Sequence, residues 1–175
     1  MIIVYYGLLV MFIGLLVAIS VIDIRTMEIP NQLVVAVLAV GFGEIIFFQI
    51  FRQYQWDTNM WLVYNQLSIT LLSRLIGVFC VSVPLLLITL FVPDAFGGGD
   101  IKLMAAAGLY LGYQMTLVSF VLAIISGGAY GIYLLLTKKK DRKAHFAFGP
   151  FLCFGMVVSA LWGWQLLTWY LTMLM

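Results

Sequence analysis

The chain has 175 residues, of which 65% are hydrophobic and only 9% are charged. A soluble domain carries about 25% charged residues, so this composition excludes a soluble globular protein. It indicates an all-α polytopic membrane protein, which we expect to form a single integral membrane domain over residues 1–175, surrounded by lipid. The net charge of +2 is too small to suggest nucleic acid as a partner.

The first apolar run, Ile2 to Ile22, carries no charge and is long enough to cross a bilayer, which takes about 20 residues. It lacks a basic first segment and a small-residue cleavage site, so it predicts a retained membrane helix rather than a removed signal peptide. The run ends at Asp23, and a polar turn with Pro30 and Asn31 follows. Proline disfavours helix in the residue before it and suits the first turn of a new helix, so we expect these two residues to shape the turn that holds Asp23.

Two further apolar runs follow before the middle of the chain. The second run, Gln32 to Phe51, contains Glu44, to which the sequence alone assigns no role. The segment from Arg52 to Asn59 is polar and aromatic, which suits a membrane interface. The third run extends from about Leu67 to Val92 and carries Arg74 near its start. We expect one membrane helix from each run.

The stretch F-G-G-G-D-I-K-L, residues 96–103, places Asp100 between two long apolar segments. Acidic residues are scarce, at seven in the chain, and a carboxylate at membrane depth indicates a functional site. The structural alternative is an ordinary helix N-cap preceded by a glycine loop. Gly97, Gly98 and Gly99 could let an extended substrate approach the carboxylate and adopt positive φ, or they could be only a flexible connector.

Three more apolar runs complete a prediction of six transmembrane helices. They extend from Ile101 to about Gly112, from Met115 to Thr137, and from the motif F-G-P-F to Met175. Gly108 and Gly112 are four positions apart, so they share a helix face and permit close helix contact. Within F-G-P-F, we expect Gly149 and Pro150 to shape the start of the sixth helix.

Basic residues predict the orientation, because cytoplasmic segments of membrane proteins are enriched in Lys and Arg. With six helices, seven basic residues fall on one face and two on the other. The richer face should be cytoplasmic, so both termini lie outside and Asp23, Asp94 and Asp100 lie at the cytoplasmic face. The seven are Arg25, Lys102, Lys138, Lys139, Lys140, Arg142 and Lys143, and the two are Arg52 and Arg74.

Few residues are available for metal or nucleophilic chemistry. Cys80 and Cys153 lie in apolar runs without a C-x-x-C spacing, which excludes a cysteine-built zinc site and suits apolar packing. His145 is the only histidine, which argues against a histidine metal cluster or a Ser-His-Asp triad. We therefore expect no metal and no cofactor.

Asp23 and Asp100 are instead predicted to act together. Two carboxylates close to each other share a proton, so that one serves as a base and the other as an acid. Such a pair can hydrolyse an amide: the base takes a proton from an attacking water, and the acid polarises the carbonyl and helps protonate the leaving amine. A phosphate cradle is disfavoured because no G-K-[ST] follows the glycines.

Three motifs in this order, D-I-R-T-M-E-I-P-N, G-G-G-D-I-K-L-M-A-A-A-G and F-G-P-F, resemble the type IV prepilin peptidases, intramembrane aspartyl proteases of the G-x-G-D class. That family has one Asp six residues before I-P-N and a second closing G-x-G-D, which correspond here to Asp23 and Asp100. The resemblance implies cleavage of a short basic leader from prepilin-like substrates at the cytoplasmic face. Lys102 is similar to the family's Lys after G-x-G-D, and it either tunes a carboxylate or anchors the helix as a basic charge.

Many bacterial members of that family also N-methylate the new terminus and carry paired C-x-x-C motifs that bind zinc. Because no such pairs occur here, the resemblance implies the short, peptidase-only form without methyl transfer. Asp94 either supports the site or caps the third helix, and the helix cap is favoured.

Two alternatives stay open at this level. One is a small ion-coupled transporter that uses Asp23, Asp100 and Glu44 as an ion path, although no convincing inverted repeat is present. The other is a non-catalytic subunit of a pilus or secretion assembly machine. Neutral substitution of the two aspartates separates these alternatives from a peptidase, because a scaffold should tolerate it.

Overall fold

The structure is a computed structural model that describes residues 2–51, 71–92, 96–137 and 147–174. These residues form helices and no strands, which confirms the all-α prediction. The predictions for Arg52 to Asn59, Asp94 and Lys138 to Lys143 fall outside the described residues. The helices are α1 (Ile2–Thr26), α2 (Asn31–Phe51), α3 (Leu71–Cys80), α4 (Ser82–Phe91), α5 (Gly98–Leu136) and α6 (Gly149–Leu174).

Four stretches within the described residues are long and apolar enough to cross a membrane: Ile3–Thr26, Leu71–Phe91, Gly98–Leu134 and Gly149–Leu174. The apolar part of α2, Asn31–Phe47, is shorter. An integral membrane protein is therefore confirmed, while the number of six spans and their orientation stay predictions.

Helix α1 continues past its predicted end, so Asp23 lies in its last turn rather than after it. The Thr26 hydroxyl donates to the carbonyls of Ile22 (3.0 Å) and Glu28 (3.1 Å). Met27 then adopts a left-handed conformation (φ 55°), and its N–H donates to the Asp23 carbonyl at 2.9 Å. This local network ends the helix and turns the chain directly beside Asp23.

The third predicted run is divided into two helices, α3 and α4, with the break at Val81. The two helices together still form one apolar span, Leu71–Phe91, as the sequence predicts, although the helix is interrupted within it. Pro84 explains the break because proline has no N–H to donate to the carbonyl four residues earlier, that of Cys80. Hydropathy is continuous across this point, so the apolar run gave no sign of the interruption.

Helix α5 contains a sharp reversal at Gly112, where φ is 71° and ψ is 168°. A straight helix would separate Gly98 from Gly127 by about 43 Å. Yet Phe148 lies beside both ends: its ring is 5.7 Å from that of Phe96, and a Cβ on Gly127 would be 2.8 Å from it. The two halves therefore run in opposite directions, and the predicted boundary between the fourth and fifth helices is confirmed at Gly112.

The first half of α5 packs closely against α3 through glycines. A Cβ on Gly77 would come within 2.8 Å of the Gly112 carbonyl carbon, and one on Gly108 within 2.5 Å of the Gly77 carbonyl carbon. The predicted close contact at the Gly108 and Gly112 face is thus confirmed. In the second half, the Ser159 hydroxyl of α6 donates to the Met115 carbonyl at 2.7 Å.

A buried ion pair lies beside the reversal. Arg74 of α3 donates to Glu44 of α2 at 2.8 Å, and to the carbonyls of Leu109 (2.9 Å) and Tyr110 (3.2 Å). In an unbroken helix these two carbonyls would accept from residues 113 and 114, which lie beyond the break at Gly112. Arg74 therefore serves as a cap for the interrupted helix, with Glu44 as its counter-ion.

Candidate active site

Asp23 lies at the end of α1 against the start of α6, and only 4% of its surface is exposed. A Cβ on Gly149 would be 2.9 Å from the Asp23 carboxyl carbon, and the Gly149 backbone interacts favourably with this carboxylate. Its Oδ2 is buried without a hydrogen-bond partner among the described residues. Gly149 is therefore required for the close approach, because a larger residue at this position would collide with the Asp23 carboxylate.

Asp100 is the third residue of α5 and is 8% exposed. Its own N–H donates to the Gly97 carbonyl at 3.0 Å, and its carboxylate lies close to the Gly97 backbone. Gly97 therefore occupies the N-cap position of α5, immediately before its first residue Gly98. Asp100 itself is therefore not the N-cap that the structural alternative proposed, and its side chain is held at the helix start.

The two carboxylates converge from different helices. Asp23 and Asp100 are close enough for their charges to interact. The thiol of Cys153, on α6 one turn after Gly149, is close enough to interact electrostatically with both. Within the described residues, Arg74 with Glu44 forms the ion pair of the membrane interior, and no cation pairs with Asp23 or Asp100. Two like charges thus share one poorly solvated site.

The glycines before Asp100 differ from their predicted role as a loop. Gly98 and Gly99 are helical, and Gly112 is the only described glycine with positive φ. Gly98 is exposed, and a Cβ there would meet nothing within 4 Å. At Gly99 a Cβ would come within 2.8 Å of the Ile29 Cβ. Gly98 therefore faces open space, while Gly99 permits close packing.

Lys102 is exposed, and its ammonium donates to the Asn31 side chain at 3.1 Å. This bond joins the start of α5 to the start of α2 rather than reaching a carboxylate. Pro30 precedes Asn31 and accepts at its carbonyl from the N–H groups of Leu33 (3.0 Å) and Val34 (3.3 Å). Pro30 and Asn31 thus form the beginning of α2, next to the turn that follows Asp23.

Gly149 and Pro150 form the first turn of α6. Phe148 precedes them, and its carbonyl accepts from Phe151 (3.0 Å) and Leu152 (3.2 Å). Proline suits this position because the first N–H groups of a helix have no partner within the helix. The motif F-G-P-F therefore starts α6 with its glycine against Asp23.

Two residues beside the carboxylates were not predicted to be part of the site. Cys153 was expected only to pack in the core, and it is indeed buried there. Its spacing of four after Gly149 could have placed it near Asp23, because residues i and i+4 share a helix face. Ile29 was treated only as the residue before Pro30, and nothing in an apolar sequence distinguishes it.

The site can provide acid–base chemistry from two coupled carboxylates. A buried pair without a cation favours sharing of a proton, which leaves one base and one acid in the same place. Among the described residues, no three His, Cys, Asp or Glu converge as a metal-binding group.

The chain matches the type IV leader peptidase family over residues 10–132, a range that includes both aspartates. It is 26% identical over 164 residues to a prepilin leader peptidase/N-methyltransferase of Bacillus subtilis, covering 94% of this chain and 59% of that protein. Identity to a protein of the same description from Aeromonas salmonicida is 28% over 158 residues, covering 90% and 50%.

A shorter alignment, of 75 residues, reaches 35% identity with a prepilin leader peptidase/N-methyltransferase of Legionella pneumophila, covering 43% of this chain and 26% of that protein. The chain spans about half the length of the curated relatives it matches. No solved structure gave a significant match.

Proposed function

The chain belongs to the type IV leader peptidase family, and we propose that it is an aspartic-type endopeptidase that removes the leader peptide from type IV prepilin-like proteins. The observation that carries this proposal is the convergence of Asp23 and Asp100 at the junction of α1, α5 and α6. Relatives described as prepilin leader peptidases support the substrate class.

In the proposed mechanism, Asp23 and Asp100 act as a pair on one water molecule. The ionised carboxylate removes a proton from the water as its oxygen attacks the scissile carbonyl. The protonated carboxyl donates to the carbonyl oxygen, and the tetrahedral intermediate then collapses as the amine leaves with a proton. The backbones of Gly149 and Gly97 lie directly against the two carboxylates, so little reorganisation is needed during the reaction.

The expected substrate is an extended peptide next to a hydrophobic helix. A membrane helix satisfies its own backbone hydrogen bonds, which hides its peptide bonds from attack. Cleavage should therefore occur beside the helix, where an extended backbone can enter the open space at Gly98. We propose that this site faces the cytoplasm from the inner membrane, with lipid around the helices and both termini outside.

The transporter alternative is weakened by the position of Glu44. This residue pairs with Arg74 next to Leu109 and Tyr110, at the opposite end of the first half of α5 from Asp100. An ion path through Glu44 and the two aspartates would need a neutral or accessible Glu44, whereas the residue is buried and paired. The geometry favours hydrolysis at the aspartates over ion transport along all three acids.

The test is cleavage of a type IV prepilin by the purified protein in detergent. Asp23→Asn and Asp100→Asn should each lower turnover by about 10²–10⁴-fold, the usual contribution of a positioned acid or base. The double variant should be little worse than either single one, because the two residues act as a unit. Glu28→Gln is the matched control, since Glu28 is an exposed carboxylate of the adjacent turn, and it should retain activity.

Each variant is first checked for folding by its thermal transition. Robust cleavage by either folded aspartate variant would contradict the aspartic mechanism, whereas a folded wild type that cleaves no prepilin would favour a scaffold or transporter. Asp94→Asn should also retain substantial activity, since Asp94 is expected to cap a helix.

A further inference from the structure

Ile29 lies between the starts of the two helices that complete the site. A Cβ on Gly99 of α5 would be 2.8 Å from the Ile29 Cβ and 3.4 Å from its Cγ1. A Cβ on Gly149 of α6 would be 3.3 Å from the Ile29 Cδ1. The base of the Ile29 side chain thus packs on one glycine and its tip on the other.

Both glycines adjoin a carboxylate. Gly99 immediately precedes Asp100, and Gly149 contacts Asp23 through its backbone. Because glycine has no side chain, nothing belonging to α5 or α6 at these two points fills the gap between the helix starts. Ile29 fills it from the turn between α1 and α2.

This turn is anchored on both sides of Ile29. Before it, Met27 donates to the Asp23 carbonyl at 2.9 Å, and the Glu28 N–H donates to the Thr26 hydroxyl at 3.4 Å. After it, Asn31 accepts from Lys102 of α5 at 3.1 Å. The Ile29 backbone is therefore attached to both the Asp23 helix and the Asp100 helix, and its side chain cannot easily shift to another position.

We propose that Ile29 is a positioning residue for the two-carboxylate site. Its side chain is a spacer that sets the separation of the α5 and α6 starts, and through Gly99 and Gly149 it sets the separation of the Asp100 and Asp23 carboxylates. The inference rests on the proposed function, since it assigns Ile29 a role in the same reaction. It adds a residue that neither donates nor accepts a proton.

If Ile29 acts as a spacer, shorter side chains at this position should lower activity in proportion to the atoms removed. The variants are compared by their kcat and KM for prepilin cleavage. Ile29→Val keeps the β-branch against Gly99 and loses only the Cδ1 that reaches Gly149, whereas Ile29→Ala loses both parts beyond Cβ. A displacement of about 1 Å can cost about 10²-fold in rate, so we expect about 10²-fold loss of kcat for Ile29→Ala and about tenfold for Ile29→Val. KM should change little, because substrate contacts are retained.

The pH dependence of kcat distinguishes positioning from loss of stability. Coupling between two carboxylates depends on their separation and on the surrounding dielectric. Ile29→Ala should therefore change the interval, in pH, between the two apparent ionisations of the pair that the kcat profile shows. Ile13→Ala is the matched control, because Ile13 is a partly buried isoleucine of the same core on α1. That variant should keep the wild-type interval even if its thermal transition falls.

The outcomes separate the inference from the function on which it rests. Wild-type protein that cleaves no prepilin would refute the proposed function, and the inference with it. Active wild type with unchanged kcat and ionisation interval in Ile29→Ala would refute only the spacer. Equal losses in Ile29→Ala and Ile13→Ala with unchanged intervals would also refute it, as a purely structural role. If Ile29→Ala does not fold, an unchanged interval in Ile29→Val decides against the spacer, and a changed one supports it.

Discussion

The two ends of the first half of α5 hold buried carboxylates in opposite electrostatic settings. At its start, Asp100 lies near Asp23, and no cation pairs with either of them among the described residues. At its end, Glu44 pairs with Arg74, whose guanidinium also binds two backbone carbonyls. The two regions lie at opposite ends of one helical segment of 14 residues, Gly98 to Leu111. This segment measures about 21 Å.

The difference shows how buried acids that stabilise the fold can be distinguished from buried acids that are suited to proton transfer. A paired and hydrogen-bonded acid next to a helix break has its charge balanced and its lone pairs occupied, so it supports the fold. Two acids without a cation, one with an unpartnered oxygen, destabilise their ionised forms. Such an arrangement is typical of sites where proton transfer occurs. Burial alone would have ranked Glu44 and Asp23 alike, at 4% exposure each.

The largest expected effect is a loss of activity at the Asp100 end of this segment and a loss of stability at its Glu44 end. Asp23→Asn should lose about 10²–10⁴-fold in turnover, yet its thermal transition should stay unchanged or rise because a buried like-charge contact is removed. Glu44→Gln should show the reverse, with a lower transition and turnover per folded molecule close to wild type. Both are measured on the same detergent preparations. Loss of turnover in well-folded Glu44→Gln would break the distinction between the two regions.

The second effect tests whether the ion pair is structural. Arg74→Met leaves Glu44 as an unpaired buried charge, and such a change costs about 3–5 kcal/mol of stability. The double variant Glu44→Gln with Arg74→Met removes both charges and should recover part of this loss, because replacement of a whole buried pair is often close to neutral. Chemical unfolding in detergent measures both. A double variant less stable than Arg74→Met would contradict the assignment.

Much of the fold could be predicted because charge and glycine are informative in an apolar chain. The long apolar runs predicted α1, α2 and α6, and Asp23 and Asp100 were prominent because few acids occur. The boundary at Gly112 followed from the length of the runs and is enforced by a backbone conformation that is essentially restricted to glycine.

The remaining features depend on contacts between distant parts of the chain. Glu44 and Arg74 find each other across two helices, and no local pattern specifies that pairing. Gly98 and Gly99 form a helix although glycine costs about 1 kcal/mol there relative to alanine, because α5 packs on the turn at Ile29. The break at Val81 lies inside a run of uniform hydropathy. Sequence patterns report burial well and partner choice poorly.

The smallest expected effect concerns Lys102, the cation two residues after Asp100. If the lack of a cation defines the catalytic end, Lys102 acts through its bond to Asn31 and not on a carboxylate. Lys102→Met should then lose no more than about 0.5–1.5 kcal/mol of stability, the net value of one hydrogen bond. Turnover should fall by no more than about tenfold, since about 1.4 kcal/mol corresponds to a factor of ten in rate. Asn31→Ala should have a similar effect.

Because both changes remove the same bond, the double variant Lys102→Met with Asn31→Ala should be no worse than either single variant. Turnover and the pH dependence of kcat are measured for all three. A loss above 100-fold in folded Lys102→Met, with Asn31→Ala unaffected, would mean that Lys102 serves the carboxylates directly. The contrast between an unpaired catalytic end and a paired structural end would then have to be abandoned, since both ends of the segment would depend on a cation.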